Sequence, residues 1–362
     1  MTNLEVNTSS FNITSYCVEI LRKGPPEPAT VYFSEDLQII LCSVMILITV
    51  ATFLDNSVVV ASIIIHKSLR TKTNGLVVSL AIADLCIALG PMPLSIFLTW
   101  IDKDYKVGTT VCLIMASLDN YLCSVSILQL SFLALDRYIS ITKPFLYERI
   151  GNRAIFLMVL VCWIFPIFLS FLPILTKWYR VDLEEWHACV KPSSHAMGHC
   201  PFFANKTYSL IVFVFFVASL LVMLFCYSII FKVARKQASQ IRSLTVVVDK
   251  RAEKHLKQEL KAAKSIGILV VTFSVCWIPS VIVTLVNPFI GYTVSDVVYG
   301  TTLWLAYTNS MLNPLLYYLS HRPFKKAVRK TLRLWKEKNS VLFNNNQAIE
   351  PVSQNNCQDT PL

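Results

Sequence analysis

Seven apolar stretches, at about 38–64, 74–100, 110–136, 154–176, 208–232, 262–286 and 297–319, dominate the sequence. Each is long enough to cross a hydrocarbon core of about 30 Å, which takes roughly 20 apolar residues in a helix. A bilayer offers no water to backbone amides, so such stretches span it as helices whose hydrogen bonds are internal. The expected fold is an all-α membrane protein, a seven-transmembrane helix bundle. Composition agrees, since 54% of the 362 residues are hydrophobic and 15% charged, too apolar for an ordinary soluble domain.

An odd number of spans puts the termini on opposite sides, and basic residues decide which is inside. The connections at 64–73, 137–153, 232–264 and 320–338 hold 3, 4, 10 and 8 of the 33 Lys and Arg residues. Positive charge concentrates in cytoplasmic loops, so the N-terminus is expected outside, in a multi-pass protein of the plasma membrane. The net charge of +11 then reflects these loops and their contact with anionic lipid, and argues against a nucleic-acid partner. Asn7, Asn12 and Asn205 head Asn-X-Ser/Thr acceptors on the outer side and are candidate glycosylation sites. The first 30 residues lack a basic start followed by an apolar core, so the first span is expected to act as the targeting signal.

These features divide the chain into an extracellular segment (1–37), the bundle (38–320), an amphipathic cytoplasmic helix (321–338) and a polar tail (339–362). In "SHRPFKKAVRKTLRLWK", Phe324, Val328, Leu332 and Trp335 recur about four residues apart between basic residues, the pattern of a helix lying on the inner leaflet. The tail lacks periodicity and is expected to be disordered.

Of 11 cysteines, Cys42, Cys86, Cys123, Cys162, Cys226 and Cys276 fall inside spans, where a small buried hydrophobe is the simple reading. Cys17, Cys112, Cys189 and Cys200 lie on the oxidising side and suggest disulfides, with three pairings open. A Cys112 to Cys200 bridge would strap the second outer loop across the helix mouth, and it is the favoured pair. Cys17 is then left to Cys189, or both remain thiols.

Ionisable residues inside a span are costly and usually face the bundle interior. Asp119 and Arg137 stand 18 residues apart in the third span, about five turns, so they share a face separated by roughly 27 Å. No Lys or Arg lies in any span at the depth of Asp119, so its counter-charge is expected from outside, as a protonated amine. Asp84 in the second span is placed to cluster with Ser126, Asn309 and Asn313, an oxygen-rich set suited to a small hard cation such as sodium, or to ordered water. At the inner end Arg137 has two candidate partners, Asp136 and Glu259. Pro279 and Pro314 each remove a backbone hydrogen bond mid-helix and introduce kinks.

Assembled, these residues resemble the rhodopsin-like (class A) G-protein-coupled receptors over about 38–335. The resemblance rests on Asn56 in "DNSVVV", Asp84 in "SLAIAD", Asp136-Arg137-Tyr138, Trp163, Trp277-Ile278-Pro279, and Asn313-Pro314 with Tyr317. Asp119 together with Trp304 and Tyr307 in "WLAYTNSMLNP", and Pro93 in "GPMPLS", look like the biogenic-amine group. "LSFLPI" and "KAAKSIGILVVTFSVCW" look most like trace amine-associated receptors and, next, type 4 serotonin receptors; a Cys17 to Cys189 bond would favour the former.

The resemblance implies a ligand site made from Asp119, Cys123, Ile211, Trp277, Ser280, Thr284, Trp304 and Tyr307. It implies a coupling and switch region of Asp136, Arg137, Tyr138, Phe145, Tyr227, Glu259 and Tyr317. The partners it implies are a small amine, a heterotrimeric G protein of the stimulatory class that raises cyclic AMP, arrestin, receptor kinases and membrane lipid. It implies no enzymatic activity and no cofactor apart from an allosteric sodium ion.

Three departures bear on the ligand. Ser219 stands where a fifth-span proline is usual, which puts the contact with Ile127 and Phe273 in question. Ile211, Val212 and Phe215 replace the serines that would hold a catechol. Ser280 and Val281 follow Pro279 where amine receptors usually place two aromatics, which suits an aliphatic or differently posed ligand. A polyamine would need a second acid from Asp182, Glu184, Glu185 or Asp296, more simply read as solvated loop residues. The rival classes are an ion-coupled transporter or channel, against which stands the lack of an inverted repeat, and a peptide or lipid receptor. A light receptor is disfavoured because the seventh span has Tyr307 and no lysine.

Overall fold

The computed structural model describes residues 35–100, 109–149, 151–183, 204–244, 268, 270–320 and 323–333. The first span is α1 (Glu35–Ile65), and the second is α2 (Lys72–Leu89) continued by α3 (Pro91–Trp100). The third is α4 (Thr109–Thr142), followed by the short α5 (Pro144–Arg149); the fourth is α6 (Asn152–Leu175) and the fifth α7 (Lys206–Leu244). The sixth is described as α8 (Val270–Val286) and the seventh is α9 (Asp296–Ser320). A final helix, α10, covers 323–333. No strand occurs among the described residues.

Five of these, the first to fifth spans, are long and apolar enough by themselves to cross a membrane. The described part of the sixth is shorter, and the seventh is diluted by Thr301, Thr302, Asn309, Ser310 and Asn313. Those polar residues are tolerable because they face other helices: Asn309, Ser310 and Asn313 are each 2% exposed. Conversely Leu47, Leu54, Phe168 and Leu221 are more than half exposed, as expected of side chains whose solvent is lipid.

The third span is the hub, packing against α2, α6 and α7, while α1 packs against α2 and α9. Trp163 of the fourth span donates to Ser79 Oγ at 2.9 Å, and Gln129 of the third donates to the same oxygen at 2.8 Å. One hydroxyl thus joins three spans. At the end of the bundle where the seventh span finishes, Phe324, Ala327 and Val328 of α10 pack under Val59, Ile63, Leu76 and Val77. The amphipathic pattern therefore places its apolar face on the bundle itself, leaving Lys326, Arg329 and Lys330 exposed.

The second span is not continuous as expected for 74–100. Pro91 has no amide to continue the ladder, and at Gly90 the backbone turns to φ −114°, ψ −86°. A Cβ on Gly90 would come within 3.2 Å of the Cys86 carbonyl oxygen, so the glycine suits the break sterically.

Asn205 has a structural role that its acceptor motif does not reveal. It is 8% exposed and caps α7, its Oδ1 accepting from Tyr208 N at 2.8 Å while its Nδ2 donates to the Trp178 carbonyl at 2.8 Å. A side chain buried and bonded at both ends in this way is a poor acceptor for a glycan. Asn7 and Asn12 lie outside the described residues, as do Cys17, Cys189, Cys200 and Glu259. Cys112 is disulfide-bonded, and the six span cysteines are free. The exposed Thr207 allows a clean test: Thr207→Ala, which destroys the acceptor motif but spares the cap, is expected to leave electrophoretic mobility unchanged. A downward band shift matching deglycosylation would show that Asn205 carries sugar.

Candidate functional site

Above the polar centre of the bundle lies a cavity of about 150 Å³ bounded by the third, fifth, sixth and seventh spans. Its walls include Met115, Asp119, Asn120 and Cys123 from α4, and Tyr208, Ser209, Val212, Phe215 and Phe216 from the outer end of α7. Trp277, Ser280, Val281 and Thr284 contribute from α8, and Tyr299 and Leu303 from α9. Asp119 is the one acid among the described lining residues.

Asp119 is half-buried. Tyr307 donates to its Oδ1 at 2.5 Å, and the Cys123 thiol lies 3.6 Å from the same oxygen. Tyr307 is itself 1% exposed and is held edge-on by Trp304 at 5.4 Å between ring centroids. Trp304 in turn donates its indole N–H to Ser95 Oγ at 3.1 Å. These two aromatics therefore form a brace behind the carboxylate and are absent from the cavity wall. Five of the eight expected site residues, Asp119, Cys123, Trp277, Ser280 and Thr284, do line it.

Ile211 does not. It is 40% exposed on the outer surface of the bundle, because the helical phase that turns Tyr208, Val212 and Phe215 inward turns position 211 away. Several polar residues of the wall escaped the sequence reading, among them Asn120, Tyr208, Asn287 and Tyr299. Asn120 donates to the Tyr208 hydroxyl at 2.5 Å, and a side-chain hydrogen bond joins Tyr299 to Thr284. Spacing offered a signal for two of them, since Tyr299 precedes Tyr307 by about two turns and Tyr208 precedes Val212 by about one.

Below the cavity, Phe216 stacks on Phe273 at 5.6 Å, and Phe273 meets Trp277 at 6.3 Å. Ser219, at the place of the missing proline, gives its carbonyl to the Ser131 hydroxyl at 3.3 Å. Deeper still, Asp84 accepts from Ser126 at 3.2 Å and from Asn313 Nδ2 at 3.0 Å, with Ser310 also bonded to it. Asn309, expected in this cluster, instead lines a small hollow of about 10 Å³ with Tyr227 and Asn313, and its Nδ2 has no protein partner.

At the end of the bundle away from the cavity, the Asp136 carboxylate takes Thr73 at 2.7 Å and Tyr147 at 3.1 Å. No ion pair joins Asp136 to Arg137 among the described residues, so the adjacent partner expected for Arg137 is committed elsewhere, to the second span and to α5. Tyr227 and Tyr317 both lie within electrostatic reach of Arg137. Tyr138 tilts against Phe225 at 6.1 Å, and Phe145 projects with 82% of its surface exposed.

A multi-pass helical bundle with a cavity on one side, a buried polar centre and an Asp-Arg-Tyr group at the far end is the plan of a membrane receptor. Residues 55–317 match the family described as 7 transmembrane receptor (rhodopsin family), and the chain belongs to that family. It is 33% identical to the mouse protein named trace amine-associated receptor 6 over 323 residues, 88% of this chain and 89% of the relative. Zebrafish trace amine-associated receptor 13c is 37% identical over 80% of this chain and 85% of its own length. Human 5-hydroxytryptamine receptor 4 is 33% identical over 80% and 78%. The chain is a signalling receptor of the biogenic-amine group and not an enzyme.

The brace generates a stability prediction. Removing the phenol leaves a largely buried carboxylate oxygen with only a thiol, at a cost of about 1–3 kcal/mol. Tyr307→Phe is thus expected to lower the ligand-free melting temperature of the purified receptor, read by thermal unfolding in detergent, and Asp119→Asn in the same background should recover part of the loss.

Proposed function

We propose that the protein is a plasma-membrane receptor, N-terminus outside, for a small extracellular monoamine whose ammonium pairs with Asp119. The supporting observation is the position of Asp119: a half-buried carboxylate, with no Lys or Arg among the described lining residues, on the wall of a cavity of about 150 Å³. An apolar cavity of about that volume accepts a ligand the size of benzene, which suits a short arylalkyl or alkyl amine. With Val212, Phe215 and Phe216 on the fifth-span wall, a catechol finds little to bond there. The absence of a second acid among the described lining residues favours one ammonium over two.

Binding at Asp119 is transmitted as a population shift, because a ligand biases a two-state equilibrium only through contacts that differ between the states. Phe216, Phe273 and Trp277 connect the cavity to the inner half of the sixth span, whose outward movement would free Arg137 for a heterotrimeric G protein of the stimulatory class, with Phe145 in the docking surface. Arrestin and receptor kinases then meet the same inner face. Sodium is the proposed occupant of the Asp84 centre, held by Asp84 and Ser126 with Asn309 and Asn313 close by. The Cys112 to Cys200 bridge would close the outer loop over the cavity, and Cys17 would pair with Cys189.

The test is a cyclic-AMP reporter in cells expressing the full-length receptor, challenged with a panel of small primary, secondary and tertiary amines. Removing one member of a desolvated charge pair costs about 2–5 kcal/mol, so Asp119→Ala should reduce potency by about 100-fold or more at unchanged surface level. Ile211→Ala, facing away from the cavity, should leave potency within about two-fold, the scale of a surface substitution. Unchanged potency in Asp119→Ala would refute the site, and amine uptake or current without a G-protein response would revive the transporter reading. For sodium, raising its concentration is expected to weaken agonist binding in the native receptor and to have no effect in Asp84→Asn, measured by radioligand displacement.

A further inference from the structure

One ionisable side chain in the membrane region serves none of the sites above. Asp55 immediately precedes Asn56 in α1. Asn56 is 1% exposed and donates to the Ser310 carbonyl of the seventh span at 3.1 Å, while the Ser310 side chain reaches Asp84. Residue 55 is therefore at the depth of the polar centre. One step along a helix is a rotation of about 100°, and that rotation carries Asp55 out of the bundle, where it is exposed.

Asp55 precedes the cytoplasmic end of α1 at Ile65 by about 15 Å at 1.5 Å per residue, half of a hydrocarbon core of about 30 Å. A two-carbon side chain is too short to snorkel to water over that distance. From Val44 to Ile65 every other exposed residue of the same helix is apolar, among them Leu47, Val50, Phe53, Leu54 and Ile64. No hydrogen bond or ion pair reaches Asp55 among the described residues.

Carboxylates in such a setting are rare and pair with a cation or line a water-filled cavity; Asp55 lines neither of the two cavities described above. The only basic residues in the seven apolar stretches are Lys232, at the very end of the fifth, and Lys264, at the start of the sixth, so neither this chain nor a second copy of it offers a cation from its spans at mid-bilayer depth. A twofold contact between copies would bring two carboxylates together instead.

We propose that Asp55 is a lateral docking site for a transmembrane helix of another membrane protein, one that carries a lysine or arginine at mid-bilayer depth. The ion pair fixes the depth and rotation of the incoming helix, and the small Ala51, one turn earlier and half-buried, lets the backbones approach.

The probe is a single-pass polyleucine helix with one central lysine, co-expressed with the full-length receptor and compared with the same helix carrying leucine throughout. Polar contacts between membrane helices of this kind change association by on the order of five-fold or more, so the native receptor should capture the lysine helix by that margin in co-precipitation and energy transfer. Asp55→Asn should abolish the preference while retaining the amine response, which shows that the fold survives. Asp55→Lys should reverse it, preferring a helix with a central aspartate. Equal capture of lysine and leucine helices by the native receptor overturns the proposal, as does an unchanged preference in Asp55→Asn. Loss of receptor self-association in Asp55→Asn, without any preference for the lysine helix, also overturns it and assigns the residue to a contact between copies.

Discussion

Asp84 is where the bundle is fastened. Its two oxygens accept from Ser126 of the third span and Asn313 of the seventh, and Asn56 of the first span holds the Ser310 backbone beside it. Hydrocarbon cannot satisfy these groups, so once buried they must satisfy each other, and in doing so they fix four spans at one depth. Distances along the third span then become fixed in the molecule. Asp119 stands about two turns to one side of Ser126 and Arg137 about three turns to the other, so the cavity and the cytoplasmic switch are two ends of one rod clamped at its middle.

The two carboxylates nearest that rod are satisfied to different degrees, which sets them different tasks. Asp84 is fully buried and surrounded by amide and hydroxyl donors. Asp119 has one phenol and one thiol, both on Oδ1, and its remaining surface belongs to the cavity. The brace of Tyr307, Trp304 and Ser95 holds the carboxylate in place without neutralising it. Between the two depths, the Phe216, Phe273 and Trp277 column ties the cavity floor to the sixth span. Ser219 leaves a carbonyl for Ser131 at the place where a proline is usual, so the fifth span is pinned to the third by a hydrogen bond.

The spans, the Asp119 to Arg137 face and the Asp84 centre were legible because each rests on length, spacing or the cost of an unpaired charge, all of which sequence carries directly. Helix phase in the fifth span was not. In "SLIVFVFFVASLLVMLF" almost every residue is apolar, so hydrophobicity gives no contrast between a face toward the bundle and a face toward lipid, and Ile211 could not be told from Val212. The role of Asn205 was hidden differently, since its acceptor motif is local whereas its burial depends on the carbonyl of Trp178, 27 residues upstream. Asp136 was placed next to Arg137 by sequence adjacency, but its oxygens point to Thr73 and Tyr147, partners that only the packing of the second span and α5 brings near. The break at Gly90 was readable in "GPMP", whose first proline cannot continue the helix of the residues before it.

The membrane region of this chain is electrically one-sided. Asp55, Asp84 and Asp119 lie well inside the apolar stretches, whose only basic residues, Lys232 and Lys264, stand at the end of the fifth and the start of the sixth. A chain that buries acids without bases leaves each acid to be neutralised by a proton or by a cation brought from elsewhere, and the access open to each decides which. Asp119 adjoins a cavity that admits a small organic ammonium. Asp84 is enclosed by oxygen and amide groups too closely for anything larger than a bare ion or water. Asp55 is exposed on the outside of the bundle with no hydrogen bond or ion pair among the described residues, and for it the proposed cation comes on another transmembrane helix.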